Sequence, residues 1–470
     1  MILSKPLQFI NTFIDELDQQ LQSCKLEQRL SQTQKYWLSF CIMGILLANK
    51  VCWAEFERIS LGGYTLSALS WMFKHSKIPW ESLLSCSVKL ILKRYGINEG
   101  LLIGDDSDRV RAKQTKRIYG AHKVYDKKTG GYFNGQTIIL LLLVTAKVTL
   151  PVGFRFYRPN PVISAWNKID KPLKTQGVPK SARPSKPLPN QEYPSKDLLM
   201  LDLLSEFQRN HPQIRVKAIL IDALYGNGPF LKQASYLFAK TQIISQLKRT
   251  QKVRYRNREC DLETYFDRSP GIETQLSIRG GQTVTVKFGC ARLYVKAHQQ
   301  KRFVVALKYE GEENYRYLVA SDMSWRGIDI ASAYTFRWLV EVFFEDWKLH
   351  EGWGQPALQR DYEGSSRGLI LSLWLDHALL LHPQQLARIE DKLPACTKGS
   401  LQRQSQIDAL MEFIRELVTS DNSHEKLEQL VVMTKNWFPF SPSSAHLNGR
   451  DLGRLEPTPS LVQRARACMA

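Results

Sequence analysis

Apolar residues recur at three- and four-residue spacing through YWLSFCIMGILLANKVCWAEF and again through WESLLSCSVKLILKRYG. That spacing lines one face of an α-helix. Gly62-Gly63 and Pro79 punctuate the two stretches, so residues 1–98 are predicted as a helical domain. No helix-turn-helix signature stands out in it. The pattern then changes to strand. GLLIGDD, QTIILLLLVT and LPVGFRFY follow one another, and the first two are apolar on both faces, as central strands of a covered sheet are. A helix over 197–210, a strand in VKAILIDALYG, a helix over 229–240 and a strand in TQIISQL come next. Such alternation predicts an α/β core, placed at 99–247 and 323–358. Residues 248–322 carry turn-rich strand patterning, including TQLSIRGGQTVTVKFGCARLYV, and are expected as a β domain inserted into that core. From Ile328 the chain turns helical, and 359–470 reads as a helical C-terminal region.

Composition adds a partner. With 470 residues the chain exceeds a single core, and 43% hydrophobic and 23% charged residues are ordinary for a globular protein. The charge balance is not: 65 Lys and Arg against 45 Asp and Glu leave a net charge of +20. A polyanion, most commonly nucleic acid, suits such a surface. The basic residues cluster. There are eight with one acid in 109–128, and six in 248–258. Residues 158–196 hold eight prolines and eight Lys or Arg, which predicts a mobile basic loop. Trp166 and Tyr193 lie within it, available to nucleic acid or simply to solvent. The eight cysteines form no C-x-x-C pair, which argues against a zinc site or a disulfide framework. The longest apolar run, 138–145, is too short to cross a bilayer. A soluble, cytoplasmic protein is expected.

Three acids stand out. Asp105 ends GLLIGDD and Asp222 ends AILID, and the end of an apolar strand holds a ligand on rigid backbone. Asp also starts turns, so neither is diagnostic alone. Asp106 and Asp108 compete with Asp105 for the first position. In SAYTFRWLVEVFFEDWKLH, read as one helix over 332–350, Tyr334, Arg337, Glu341, Glu345 and Lys348 fall within an arc of roughly 80°. Phe336, Leu339, Val340, Phe343 and Trp347 occupy the other side. An ordinary i, i+4 ion pair between Arg337 and Glu341 would explain part of that face.

The combined pattern resembles the DDE transposases of bacterial insertion sequences, in the branch named for its YREK signature. Tyr334, Arg337, Glu341 and Lys348 match that signature at every spacing. Asp105 in IGDDSD looks like the family's first acid and Asp222 in LIDALYGNG like its second. The resemblance spans residues 99–350 and implies a ribonuclease H-like α/β core with a β insertion, flanked by helical N- and C-terminal regions. It implies that Asp105, Asp222 and Glu341 hold two Mg²⁺ ions, with Mn²⁺ able to substitute, and that Tyr334, Arg337 and Lys348 contact DNA. Hard cations take carboxylate oxygens, and a pair of them assists in-line phosphodiester displacement. The implied partners are double-stranded DNA, as element ends and target, and a second copy of the chain on that DNA. A nucleoid-associated bacterial location follows. Residues 1–98 would bind the element end and 359–470 would dimerise. The resemblance also brings a hairpin intermediate. Trp325 and Arg326 precede the helix, placed either to meet a base or to cap the core. Two other readings stay open: a DNA-binding protein derived from a transposase without catalysis, and a ribonuclease H-like structure-selective nuclease.

Overall fold

A computed structural model of the chain describes residues 5–24, 28–60, 63–111, 118–126, 129–353, 359–437 and 457–468. Residues 1–416 form one compact unit and 417–470 a second. The first opens with helices α1 (Gln8–Ser23), α2 (Gln32–Ala48), α3 (Trp53–Ile59), α4 (Leu66–His75) and α5 (Trp80–Arg94). Ser31 starts α2 with a capping box, its hydroxyl accepting from the Gln34 amide while the Gln34 side chain returns to the Ser31 amide. Among the described residues no single helix is long and apolar enough to cross a membrane. The described cysteines are free thiols.

The sheet begins with β1 (Glu99–Val110), β2 (His122–Tyr125), β3 (Tyr132–Val144) and β4 (Thr149–Tyr157). Part of the basic 109–128 stretch, namely 112–117 and 127–128, lies outside the described residues. Next come α6 (Pro161–Thr175), α7 (Lys196–Asn210), β5 (Arg215–Ile221), α8 (Gly228–Leu237) and β6 (Gln242–Leu247). β1, β5 and β6 run parallel, while β3 is antiparallel to β1, β2 and β4. The strand order through this part is β4-β3-β1-β5-β6. β3 is buried along most of its length, as its unbroken apolar run requires.

The expected mobile loop at 158–196 instead contains α6. Asn160 caps it by accepting from the Val162 amide at 2.9 Å, and Pro161 takes the first helical position. The following strand of chain folds back on the helix: Arg183 pairs with Asp170 at 3.0 Å and the Trp166 indole donates to the Pro184 carbonyl at 2.9 Å. Tyr193 lies under the Arg158 guanidinium, 4.9 Å away. Proline count predicted disorder here, yet α6 takes Pro161 at its start, where a proline costs nothing, and also holds Pro172 within it.

Beyond β6 lie β7 (Lys252–Tyr255), β8 (Arg258–Asp261), α9 (Leu262–Arg268), β9 (Ile272–Ser277), β10 (Thr283–Val295), β11 (Gln300–Tyr309) and β12 (Arg316–Ala320). The strands expected as an inserted domain do not make a sheet of their own. β12 pairs antiparallel with β6, from Tyr317↔Leu247 to Ala320↔Ile244, and β11, β10, β7 and β8 extend the same sheet, which has twelve strands. Pairing covers a β6 edge that would otherwise stand open.

Helices α10 (Gly327–Thr335) and α11 (Trp338–His350) follow, then α12 (Tyr362–Leu380), α13 (Pro383–Glu390) and α14 (Lys398–Val418). Residues 354–358 of the expected core lie outside the described residues. α12 is buried along almost its whole length. It packs on α1, α2, α4 and α5, with Trp374 stacked on Trp80 at 5.4 Å. His377 ties it to α5 and β4, through Ser87 Oγ at 2.8 Å and the Pro151 carbonyl at 3.0 Å. The N-terminal helices and the start of the C-terminal region, expected as separate domains, therefore share one core. The second unit contains α15 (Ser423–Trp437) and α16 (Pro459–Ala467).

Candidate active site

Asp105 sits in mid-β1, opposite Leu140 of β3. Successive strand residues face opposite sides of a sheet. A Cβ on Gly104 would come within 2.5 Å of the Met200 Cε of α7, so glycine there lets α7 close on one face. Asp105, the next residue, faces α11. Its neighbours are engaged elsewhere. Asp106 pairs with Lys196 at 2.6 Å, and Asp108 accepts from the Thr137 hydroxyl.

Asp222 is the first residue past β5, and its carbonyl accepts from Ser245 Oγ of β6 at 2.9 Å. The turn that follows lies flat on β6, because a Cβ on Gly226 would stand 2.7 Å from the Gln246 carbonyl oxygen. Tyr334 fixes the same strand end from the other side, donating to the Ile221 carbonyl at 3.1 Å.

The single helix expected over 332–350 is two. Phe336 and Arg337 separate α10 from α11 and keep helical dihedrals. The amides of Phe336, Arg337, Leu339 and Val340 bond to carbonyls three residues back, which tightens the turn. Tyr334 stays on the side of Arg337, as the polar face had it, but that side packs inward here and only 9% of the residue is exposed. Val340, Phe343, Phe344 and Trp347 are buried as the apolar face of α11, and Glu341, Glu345 and Lys348 lie on its more open sides.

Arg337 joins the acids. Its Nη1 donates to Asp105 Oδ2 at 2.6 Å and its Nη2 to Glu341 Oε1 at 3.4 Å. Burial pulls this guanidinium down, but Tyr334, Asp105, Asp222 and Glu341 together carry it above its ordinary value. The charge of Asp222 acts on Asp105, Tyr334 and Arg337 alike. Arg337 thus joins two acids distant in sequence, Asp105 and Glu341, and feels the charge of Asp222 as well. The acids do not form a ready-made cage: among the described residues no three such side chains are close enough to hold a metal ion. The donor set is nevertheless the oxygen set a hard divalent cation takes, arranged around a positive charge. Lys348 is pulled down by burial, opposed by Asp108 and Glu341, and its ammonium lies 5.7 Å from the Phe344 ring. Trp325 is partly buried against the core, and Arg326 forks onto Asp329 through two 2.8 Å contacts.

One neighbour escaped the sequence reading. Tyr225, three residues past Asp222, is fully buried, and its phenol is pushed up by burial and then by Asp106, Asp105, Asp197 and Asp222. The LYG that follows AILID was the available signal.

Burial raises the Asp105 carboxyl to about 7, with Asp222 and Asp106 adding to the shift and Arg337 and the Asp106 amide opposing it. Folding therefore takes up a proton there. The resulting cost is absent below the ordinary carboxylate range, grows from about pH 4 to 7, and is complete above it. Asp105→Asn should stabilise the metal-free protein at pH 8 by up to about 4 kcal/mol and leave it unchanged near pH 4. Urea unfolding at the two pH values measures this, and equal effects at both would reject the assignment.

A family model described as a DDE superfamily endonuclease matches residues 25–286. The match takes in Asp105 and Asp222, while Arg337 and Glu341 lie beyond it. No curated protein matches the chain. With more than half its length matched, the chain belongs to the DDE superfamily of endonucleases, enzymes that act on DNA.

Proposed function

We propose that the protein is an insertion-sequence transposase of the YREK-signature branch, cutting DNA at the element's ends and joining it to a target. The observation that carries this reading is the gathering of Asp105, Asp222 and Glu341 about Arg337. The strand order β4-β3-β1-β5-β6 supports a ribonuclease H-like core. Asp105, Asp222 and Glu341 would hold two Mg²⁺ ions. Bound there, the ions supply an activated nucleophile and a stabilised leaving oxygen. Arg337 holds the acids together in their absence and moves to a DNA phosphate when they bind. Lys348 grips a second phosphate. Tyr334 fixes the end of β5, and so Asp222, from behind. Cut-and-paste excision through a hairpin, by two copies of the chain on paired ends, completes the proposal.

The test is excision in vitro. A plasmid carrying a marked element between the repeats that flank the coding sequence is incubated with protein and Mg²⁺. Release of the element with hairpin ends is expected. Release with open ends would remove the hairpin, and cutting at branched DNA irrespective of the repeats would favour a structure-selective nuclease.

A further inference from the structure

β1 continues past Asp105, and alternation returns residue 109 to the face that Asp105 occupies. Arg111 stays on the sheet, its amide donating to the Asn134 carbonyl at 2.7 Å. α11 covers this face lengthwise. Arg337 before its start meets Asp105, and Trp353 beyond its end meets Arg109 and Arg111, whose guanidinium carbons lie 5.5 and 6.0 Å from the indole centroid. Trp353 is itself buried and stacked on Trp347 at 4.9 Å. The two guanidiniums thus rest against a fixed aromatic wall.

Their charge is unanswered. Arg109 Nε and Nη1 and Arg111 Nε are buried and reach no hydrogen-bond acceptor among the described residues. Neither arginine forms a salt bridge with a described residue, and the Arg111 Nη2 contact is to the neutral Gln136. Burial and then Arg111 push the Arg109 guanidinium down, and Arg109 also acts on Lys348, after burial, Asp108 and Glu341. A desolvated charge without a counter-charge is costly, and a cation–π contact offsets only part of that cost. Among the described residues no anion answers the pair.

Four residues of strand separate Arg109 from Asp105, about 13 Å at ~3.3 Å per residue. A DNA strand with its scissile phosphate at the acids reaches that far in about four nucleotides, at ~3.4 Å of rise each. We propose that Arg109 and Arg111, set against Trp353, seat backbone phosphates of the substrate strand a few nucleotides from the cut. The inference rests on the nuclease reading of the acids. It assigns a positioning role, with the arginines setting how the strand enters while the acids do the cutting.

The experiment uses the full chain and a fluorescent 30-base-pair duplex of mixed sequence in EDTA, so that binding is read without cleavage. Arg109→Gln and Arg111→Gln should each weaken binding about five- to tenfold at 0.15 M KCl and lower the salt slope by about one. Arg109→Lys, which keeps the charge, should keep the slope. Removing an unanswered charge should leave the melting temperature equal or higher, so each variant remains testable. In the Mg²⁺ excision assay, the glutamine variants should need more DNA for half-saturation yet approach the wild-type rate at saturation. Unchanged affinity and slope in both glutamine variants would overturn the phosphate seat. That outcome is separable from failure of the nuclease reading, which shows instead as an Asp222→Asn protein that still cuts.

Discussion

Asp222→Asn should lower Mg²⁺-dependent excision by at least about 10³-fold and leave DNA binding in EDTA within twofold. The magnitude follows from the several kcal/mol that a carboxylate-held metal contributes to charge stabilisation, each 1.36 kcal/mol being tenfold in rate. Folding should survive. Asp222 is half-buried at a strand end, and the bond that fixes its position is made by its backbone carbonyl to Ser245, which the substitution leaves in place. Single-turnover excision and circular dichroism on both proteins make the measurement. Equal inactivity of wild type and variant would favour a binding protein descended from a transposase. Equal activity would discard Asp222 as a metal ligand.

Lys398→Met should cost about 3–5 kcal/mol of stability, because it strands a buried acid. The lysine opens α14 and reaches Asp376 of α12 at 2.6 Å and Glu351, past α11, at 3.7 Å. Both acids are fully buried. Burial and then Asp376 push the Glu351 carboxyl well above the usual range, with Lys398 opposing. Glu351→Gln copies the protonated form that burial favours and should change stability by less than about 1 kcal/mol at pH 7, in contrast to the lysine variant. A raised carboxyl pKa makes folding costlier as pH rises, so the glutamine protein should gain on wild type in alkaline buffer. Urea unfolding of the two variants decides the matter, and matching losses would show that burial does not favour the protonated form of Glu351. The cluster matters to the site because it anchors the far end of α11, the helix that carries Glu341.

Much of this architecture was legible in the residues. Apolar spacing places the N-terminal helices up to Arg94 and the strand that ends just before Asp222, whereas β1 runs on to Val110 and carries Asp105 in its middle rather than at the expected strand end. A four-position signature picked out Arg337 and Glu341, which do meet. What was hidden depended on neighbours. Nothing local marks the break at 336–337, since both residues keep helical dihedrals, and a helical wheel does not show that the face of Tyr334 packs onto the end of β5. The bond from β12 to β6 joins segments about seventy residues apart, beyond what patterning can see. The basic stretch at 109–128 read as a uniform charged surface, whereas Arg109 belongs to a strand and lies against a tryptophan more than two hundred residues later. The choice among Asp105, Asp106 and Asp108 required the pleat and the partners Lys196 and Thr137.

The unbroken sheet has a mechanical corollary. A domain on a tether can be lost or swung aside without disturbing its host, but β12 is stitched to β6, and β6 to β5, whose end bears Asp222. Force applied to the outer strands by a docked duplex travels by backbone hydrogen bonds to within one strand of that acid. Those strands act as a lever arm welded to the edge that carries Asp222, and excising them would tear the sheet rather than trim it.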